Sequence, residues 1–304
     1  RRGAGSSLFW KPGAPAPAAV AAGAWEVAGR PVEACIGWER AADEAVALYL
    51  GRRFLELGAS LVICGRRQEV LDEAVASLSK ETGGNVRGHR CDIRDAEAVE
   101  AMMEAIWQEG PLDGLVNNAA GNFIAKTETL SPRAVDAVLN IVLHGAAYCT
   151  IACGRRWLAA NQRASILNIV TTYAWTGSAY VVPSAMAKGG VLALTRSLAV
   201  EWGGRGIRTN AIAPGPFPTP GAWERLVPRP ELALEFETRN PMGRPGRHEE
   251  LANLASFLMS DGAGFINGDV VTIDGGEWLE GAGQFNFLRA MTEDDWNALR
   301  PKKK

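Results

Sequence analysis

Three residues with acid–base chemistry lie close together between Tyr173 and Lys188. Ser184 and Lys188 are four residues apart at the start of an apolar helical pattern, so both side chains should lie on one helix face. Tyr173 precedes Ser184 by eleven residues and follows a β-rich run at 165–172 that predicts a strand. A strand end and the next helix can therefore direct a phenol, a hydroxyl and an amine to one point. Because a nearby lysine favours phenolate, the pattern predicts a tyrosine that donates a proton near neutral pH.

Each of the three residues also has an ordinary structural interpretation. Tyr173 could be an interfacial tyrosine, Ser184 a turn residue and Lys188 a solvated helix lysine. The chemical interpretation therefore depends on the other motifs of the chain.

The composition limits the function classes to which the chain can belong. Its 304 residues, 47% of them hydrophobic, can bury one large core or two modest ones, and we expect one domain with tails. A net charge of −2 does not support a nucleic-acid surface, which requires a basic patch. No apolar run reaches the length of about 18 residues that a membrane span needs. Five scattered cysteines are typical of small buried hydrophobic residues in a reducing compartment, and the three histidines show no metal-site spacing.

The N-terminal thirty residues are rich in Ala, Gly and Pro and begin at Arg1. They lack the continuous apolar core of a signal peptide, so we expect a disordered segment or an incomplete start. An amphipathic targeting peptide is the alternative, because the segment contains arginine and almost no acid. The final residues 300–304 do not resemble a peroxisomal address. We expect a cytoplasmic protein, with an organelle matrix as the alternative.

From residue 51 onward, short apolar strand patterns alternate with helical patterns. Strands are predicted at 60–64, 86–91, 114–118, 165–172, 208–213 and 270–273, and helices at 68–80, 95–107, 131–140 and onward, 184–202 and 249–260. This alternation predicts an α/β fold, a Rossmann-like doubly wound parallel sheet with helices on both faces. We assign a single domain to 51–280, an atypical segment to 1–50 and a C-terminal tail to 281–304.

Parallel sheets of this kind bind ligands at the carboxyl ends of their strands. Arg66 and Arg67 follow the strand at 60–64, where no acid is present to bind a ribose diol. Two guanidinium groups suit a 2′-phosphate, so the pattern favours NADP, with a solvated basic turn as the alternative. Asp92 follows the next strand and can accept a hydrogen bond from an adenine amino group.

The third regular strand ends in the small residues of Asn117–Gly121, which let a ligand approach the backbone closely. Within this run we expect Asn118 to contact the cofactor. Asn122 and Phe123 follow directly, so an amide donor and an aromatic wall would lie beside the nicotinamide position.

Further motifs extend this pattern along the chain. They are N-N-A-A-G at 117–121, the helix-borne Lys188, I-R-T-N-A-I-A-P-G-P at 207–216 and D-G-G at 274–276. From residue 51 to about 276, the chain thereby resembles the short-chain dehydrogenase/reductase family. The family's usual Tyr-x-x-x-Lys pair has Ser184 in the place of its tyrosine, but serine there with a tyrosine eleven residues earlier resembles one subgroup, the 2,4-dienoyl-CoA reductases. That likeness extends to N-A-A-G-N-F-I at 118–124, V-V-P-S-A-x-A-K at 181–188, G-A-W-x-R-L at 221–226 and G-Q-F-N at 283–286.

The resemblance implies that NADPH reduces a 2,4-dienoyl-CoA during the β-oxidation of unsaturated fatty acids. Hydride would reach the δ carbon, and protonation at the α carbon would give a 3-enoyl-CoA. Tyr173 and Asn122 would hold the thioester oxygen as charge develops, while Lys188 holds the nicotinamide ribose and Ser184 supports it. Cofactor contacts are implied at Arg66, Asp92, Asn118, Pro214, Gly215, Pro216 and Phe217, and acyl-CoA contacts at Arg94, Phe123, Ser131 and Arg225. A homotetramer is implied as well.

One departure from the family pattern affects the cofactor site. The T-G-x-x-x-G-x-G motif, whose glycines let a pyrophosphate approach a helix N-terminus, should lie near residues 40–47. The chain reads R-A-A-D-E-A-V-A there, without glycine, and Asp43 and Glu44 would repel phosphate. We therefore expect that residues 1–50 provide no normal first strand and that cofactor affinity is weak or absent.

A shifted reading frame is one hypothesis for this departure. The codons of Glu39–Val46, read from the third base of the glutamate codon, can encode T-G-G-G-R-G-x-G, with x limited to Arg, Cys, Gly or Ser. The coding DNA tests the hypothesis directly. A second departure is His144, which stands where the family often has a helix asparagine and is interpreted as structural.

Two other functions remain open at this point. The chain could be a short-chain reductase for another acyl thioester or carbonyl, because fold and cofactor site do not fix the substrate. It could also be a non-catalytic scaffold that binds no dinucleotide, and NADPH would then fail to raise its melting temperature.

Overall fold

The computed structural model describes residues 26–27, 30–31, 33–37, 41–218 and 239–299. Its centre is a parallel sheet in the order β5-β4-β3-β6-β7-β8-β9, which has seven strands among the described residues. A separate antiparallel pair is formed by β1 and β2. The strands are β1 (Glu26–Val27), β2 (Arg30–Pro31), β3 (Glu33–Gly37), β4 (Ser60–Gly65), β5 (Val86–Arg90), β6 (Gly114–Asn117), β7 (Ala164–Ile169), β8 (Ile207–Pro214) and β9 (Val270–Ile273).

Helices connect these strands and cover both faces of the sheet. They are α1 (Ala41–Glu56), α2 (Gln68–Thr82), α3 (Ala96–Glu109), α4 (Pro132–Leu139), α5 (Gly145–Ala159), α6 (Tyr173–Thr176), α7 (Val182–Gly203), α8 (His248–Met259), α9 (Glu277–Ala282) and α10 (Glu293–Ala298). One π-helical turn, Asn140–His144, joins α4 to α5. The architecture confirms the predicted α/β fold with a Rossmann-like, doubly wound parallel sheet.

The expectation that residues 1–50 provide no normal first strand is wrong. Strand β3 lies at the centre of the sheet, where it pairs in parallel with β4 on one side and β6 on the other. Helix α1 then begins at Ala41, so the fold includes residues before 51. The strand escaped prediction because its apolar run in the sequence, Ala34 to Ile36, is too short to show a period; these three residues are buried. Pairing along both edges and burial of both faces hold it in the sheet.

The two faces of the sheet bury different side chains because residues alternate along each strand. Cys35 and Val62 pack on one face with residues of α3, α5 and α7. Ile36 and Ile63 pack on the opposite face with residues of α1, α2 and α8. Strands buried on both faces read as continuous apolar runs, which made most of them predictable.

The helical stretch 132–159 is the one part of the described chain that is long and apolar enough to cross a membrane. In its most apolar window, 56% of the residues are buried inside the fold. Cys149, Cys153 and Trp157 of this stretch lie in the core beside the sheet. Because the buried side chains of this stretch pack against the sheet, we assign it to the fold and not to a membrane.

Candidate active site

The phenol and the hydroxyl predicted to meet do so at the carboxyl end of β7. The strand ends at Ile169 rather than at residue 172, and Tyr173 begins the short helix α6. The Tyr173 hydroxyl lies 3.0 Å from Oγ of Ser184 on α7. The predicted meeting of Tyr173 and Ser184 therefore takes place, although a helical turn and not the strand itself carries the tyrosine.

Lys188 lies one turn beyond Ser184 on the same buried face of α7. The exposed fractions are 2% for Ser184 and 5% for Lys188, so Lys188 is not a solvated helix lysine. Its Nζ donates a hydrogen bond to the carbonyl of Ile169, the last residue of β7. A buried ammonium is costly unless it is paired, so this contact supports Lys188 at the end of the strand.

A buried chain of polar side chains supports the same strand end, and the sequence analysis did not identify it. Asn117 of β6 donates through Nδ2 to Thr150 Oγ1 at 2.9 Å and to Asn168 Oδ1 at 2.8 Å. Asn168 donates in turn to Thr195 Oγ1 at 2.8 Å, and Thr195 donates to the Val191 carbonyl at 2.8 Å. Asparagines inside two apolar strands were the sequence signal for it. The chain ties β6, α5, β7 and α7 together directly beneath the carbonyl that Lys188 contacts.

The loop after β6 approaches the segment that follows Tyr173. Asn122 Oδ1 accepts a hydrogen bond from the Phe123 amide at 2.9 Å, so the amide nitrogen of Asn122 is the group that can donate to a ligand. The Ala125 amide donates to the Tyr180 carbonyl at 3.0 Å. Tyr180, which the sequence analysis also missed, adopts a left-handed φ of 65° and exposes its ring beside this loop.

Asp92, expected to contact the cofactor, and Arg94, expected to contact the acyl-CoA, form an ion pair after β5. Nε of Arg94 donates to both carboxylate oxygens of Asp92, at 2.8 and 3.1 Å. Hydrogen bonds from Arg94, with a further contribution from the charge of Arg66, hold the pKa of Asp92 below its usual value against the opposing effect of burial. Arg66 follows β4 and is half-buried. This group of charges lies at the strand ends where the adenosine end of a dinucleotide was expected.

The Pro214–Phe217 loop leaves the carboxyl end of β8. Pro214 pairs with Ile273 of β9. Gly215 tolerates no side chain, because a Cβ there would lie 2.6 Å from Cβ of Asp274. The Pro216 carbonyl accepts a hydrogen bond from the Gly246 amide at 3.0 Å. These contacts hold the loop at the edge of the sheet where the ligand-binding loops lie.

The remaining predicted residues have varied surroundings. Asn118 is buried at the end of β6, and Phe123 packs against the core. Ser131 caps α4, since its Oγ accepts a hydrogen bond from the Ala134 amide at 3.2 Å. His144 is exposed, and its Nδ1 lies 2.9 Å from Asn140 Oδ1, in agreement with a structural role. Arg225 and the motif at 221–226 lie outside the described residues.

The thiols are arranged as small core residues. All five cysteines are free and buried. A hydrogen bond with Cys64, together with burial, raises the pKa of Cys35 well above its usual value. Within the part of the chain that the structure describes, no group of three or more His, Cys, Asp or Glu side chains could hold a metal ion.

A nicotinamide dinucleotide fits some parts of this edge and not others. Arg66 and Asp92 suit its adenosine end, and Lys188 with Tyr173 suits its nicotinamide end. The strand order reverses between β3 and β6, where a pyrophosphate would meet the start of α1. The sequence from Trp38 to Ala47 contains no glycine, and the first turn of α1 includes Asp43 and Glu44. The residues present therefore do not fit a pyrophosphate at this turn.

Comparison with known proteins gives a consistent family. A family model described as enoyl-(acyl carrier protein) reductase matches residues 41–277. The chain is 46% identical over 232 residues to a probable 2,4-dienoyl-CoA reductase, (2E)-enoyl-CoA-producing, of Bacillus subtilis, a match that covers 76% of this chain and 91% of that protein. It is 41% identical over 250 residues to a probable 2,4-dienoyl-CoA reductase 3, (3E)-enoyl-CoA-producing, of Caenorhabditis elegans, with 80% and 81% covered.

Solved structures share the fold over most of both chains. A short chain dehydrogenase from Bacillus anthracis is 39% identical, with a TM-score of 0.72 over 81% of this chain and 96% of that one. A gluconate 5-dehydrogenase from Burkholderia cenocepacia, in complex with NADP and tartrate, is 28% identical, with a TM-score of 0.77 over 82% and 96%. The parallel sheet, the family model and the relatives agree, and the chain belongs to the short-chain dehydrogenase/reductase family of oxidoreductases.

Proposed function

We propose that this chain reduces 2,4-dienoyl-CoA thioesters to 3-enoyl-CoA, with NADPH as the reductant. The observation that carries the proposal is the contact between Tyr173 and Ser184, with Lys188 one turn further along the same helix face. A serine in the place of the usual tyrosine, with a phenol supplied from the preceding segment, is what the resemblance to the 2,4-dienoyl-CoA reductases implies. Two of the relatives are named probable 2,4-dienoyl-CoA reductases, one for a (2E)-enoyl and one for a (3E)-enoyl product.

The site must stabilise an oxyanion, because reduction of a conjugated thioester places negative charge on its carbonyl oxygen. A nicotinamide dinucleotide, held at Arg66, Asp92 and Lys188, would supply the hydride. The phenol of Tyr173 and the amide nitrogen of Asn122 donate hydrogen bonds to the thioester oxygen, which lowers the barrier most when the donors are already oriented. Ser184 orients the phenol, and Lys188, anchored to the Ile169 carbonyl, holds the nicotinamide ribose.

The position of the final protonation decides the product. Protonation of the dienolate at the α carbon gives a 3-enoyl-CoA, and protonation at the γ carbon gives a 2-enoyl-CoA. The names of the relatives include both outcomes, since the Bacillus subtilis protein is named for the (2E) product and the Caenorhabditis elegans protein for the (3E) product. We propose the 3-enoyl product, because a proton donor that holds the thioester oxygen is closer to the α carbon than to the γ carbon.

The proposal also names the residues that would contact the two ligands. Arg66 and Arg67 favour the 2′-phosphate of NADPH over the free diol of NADH, with Asp92, Asn118 and the loop at 214–217 as further cofactor contacts. Arg94 and Arg225 would pair with CoA phosphates, beside Phe123 and Ser131.

A homotetramer is supported by apolar side chains on α7, where Met186 is 54% and Val200 86% exposed. Five free cysteines support a reducing, cytoplasmic compartment.

The test of this function follows the absorbance of a 2,4-dienoyl-CoA after NADPH is added. We expect absorbance loss that depends on both reactants, and incorporation of solvent deuterium at the α carbon of the product. A 3-ketoacyl thioester serves as the comparison substrate, and faster turnover of that compound would favour a different short-chain reductase. Deuterium at the γ carbon would contradict the 3-enoyl product while leaving the reductase activity intact.

A second candidate is a scaffold without dinucleotide binding. The observation in its favour is the glycine-free sequence between β3 and α1 with two acids in the first helical turn. A thermal-shift titration with NADPH separates the candidates, because a ligand that binds the folded state raises its melting temperature. No shift in the chain as written, together with a shift when the glycine motif is supplied, would assign the loss to this turn alone.

A further inference from the structure

A chain of three aromatic rings joins α1, α8 and the Pro214–Phe217 loop. The imidazole of His248, the first residue of α8, stacks on the ring of Tyr49, with centroids 4.6 Å apart and planes inclined by 14°. The Phe217 ring meets the same imidazole edge-on, at 6.2 Å and 63°. His248 is therefore the middle ring, and it connects a helix of the sheet's outer layer to a loop at its ligand-binding edge.

Within the described residues, the loop is also held at its start by the Gly215 amide, which donates to the Ile273 carbonyl at 3.0 Å. Phe217 packs so closely over Gly246 that a Cβ at that glycine would lie 2.3 Å from the ring. The Gly246 amide donates to the Pro216 carbonyl at 3.0 Å. Besides the core against which it packs, Phe217 therefore contacts Gly246 and His248, two neighbours that are only two residues apart at the start of α8.

The imidazole is placed where a positive charge is unfavourable. Its Nε2 is buried and has no hydrogen-bond partner among the residues that the structure describes. Burial lowers the pKa of His248, and the nearby Glu249 only partly opposes that effect. The guanidinium of Arg52 already lies 5.5 Å from the centroid of the Tyr49 ring, so an imidazolium would share that ring with an existing cation. The other charged groups nearby are Arg53 and Glu56 on α1, and the Arg244–Glu250 and Arg247–Glu250 ion pairs beside α8.

We propose that His248 is a positioning residue, which holds the Pro214–Phe217 loop while its ring is neutral and releases the loop when the ring is protonated. The stacked state favours the neutral ring, so the free energy of stacking is complete above the ordinary imidazole value of about 6.5 and decreases as the pH falls below it. Closing of the loop would then depend on pH below the ordinary imidazole value. The inference concerns the loop itself and does not rest on the proposed function.

The experiment measures hydrogen exchange of the Gly246 amide, whose bond to Pro216 reports whether the loop is closed. His248→Phe keeps an aromatic ring between Tyr49 and Phe217 but cannot be protonated, and His248→Ala removes the ring. After correction for intrinsic exchange, we expect wild type and His248→Phe to agree at pH 7.5. Between pH 7.5 and pH 5, protection should decrease about tenfold in wild type and not in His248→Phe. His248→Ala should lack this protection at both pH values.

The His248→Phe comparison also separates the effect from the other buried imidazole. Burial and the charge of Arg87 lower the pKa of His89, which is retained in every variant. An equal loss of protection in wild type and His248→Phe would overturn the proposal, because the titrating group would then lie elsewhere. Protection in His248→Ala equal to wild type at pH 7.5 would also overturn it, and if that variant does not fold, the His248→Phe comparison alone still decides.

Discussion

Two regions at the same edge of the sheet differ in how far they are built for chemistry. Where β7 meets α7, the phenol of Tyr173 contacts the hydroxyl of Ser184, and the ammonium of Lys188 bonds to the carbonyl at the strand end, which a chain of buried amides and hydroxyls supports. Where β3 meets α1, strand and helix are in place, but the sequence from Trp38 to Ala47 has no glycine, and the first turn of α1 includes the acids Asp43 and Glu44. A fold can thus be complete at a place where the ligand chemistry of its family is missing.

The physical reason is that the two regions are held by different forces. Strand β3 needs only apolar side chains and two paired neighbours, and both are independent of the residues after Gly37. At β7 and α7, by contrast, Asn168, Ser184 and Lys188 are buried polar groups, which are costly unless every one finds a partner. Each of the three has a partner, so the β7 end depends on specific polar contacts as well as on apolar packing.

The largest effect is expected from a substitution where β7 meets α7. Tyr173→Phe removes the phenolic donor and should lower kcat by about 10²–10³-fold, the usual cost of one oxyanion donor. The measurement is NADPH-dependent loss of dienoyl-CoA absorbance. Both proteins carry the glycine motif T-G-G-G-R-G-S-G in place of residues 39–46, so that cofactor binding does not limit the rate. Ser184→Ala is the matched control, and its effect should be smaller because the phenol remains. An unchanged kcat in Tyr173→Phe would show that the oxyanion is held by other groups.

The second prediction concerns the glycine motif that is missing where β3 meets α1. Replacement of Glu39–Val46 by T-G-G-G-R-G-S-G should raise the affinity for NADPH about 100-fold, because phosphate then meets free backbone amides at a helix N-terminus. Fluorescence titration measures the dissociation constant. The double variant Asp43→Asn, Glu44→Gln removes only the charges and should give a smaller gain. Equal affinity of the original and repaired chains would mean that another segment supports the pyrophosphate.

A third prediction compares the stability of the two ends. Asn168→Ala leaves Asn117 and Thr195 without their shared partner and should lower the free energy of unfolding by about 2 kcal/mol. Asp43→Asn in the first turn of α1 should change it by no more than about 0.5 kcal/mol, because it removes one charge at a helix start and no hydrogen bond of the buried chain. Urea unfolding measures both. Equal effects would show that the buried amide chain does not stabilise the β7 end.

The smallest expected effect concerns the charges after β5. Arg94→Gln should raise the pKa of Asp92 toward its ordinary value, because hydrogen bonds from Arg94 are the main cause of its low pKa. A carboxyl whose pKa is depressed by folding stabilises the fold above its unfolded pKa of about 3.9, and the contribution is lost as the pH falls through the folded pKa. The pair is partly exposed, so the loss of stability at pH 7 should be below about 1 kcal/mol. Carboxyl NMR titration measures the shift, and an unchanged Asp92 pKa would assign its depression to Arg66 or to the backbone.

Much of this architecture could be predicted from the sequence, because its signals are local. Parallel strands buried on both faces read as apolar runs, and β9 lies at the predicted 270–273. Helix starts carry their own markers, as with Asp95, whose carboxylate caps α3. Four-residue spacing placed Ser184 and Lys188 on one face of α7, and the eleven residues to Tyr173 left room for the phenol to return to that face.

Other features were decided only by the tertiary structure. Strand β3 owes its place to neighbours that are distant in the chain, so three apolar residues sufficed where a local pattern did not. The Asn117–Asn168–Thr195 chain, the Asp92–Arg94 pair and the Tyr49–His248–Phe217 stack are likewise matters of how elements pack and how side chains turn. Residue type and spacing determine which groups share a strand or a helix face. Which faces meet, and whether a polar group is left with a partner, depends on the three-dimensional packing of distant segments.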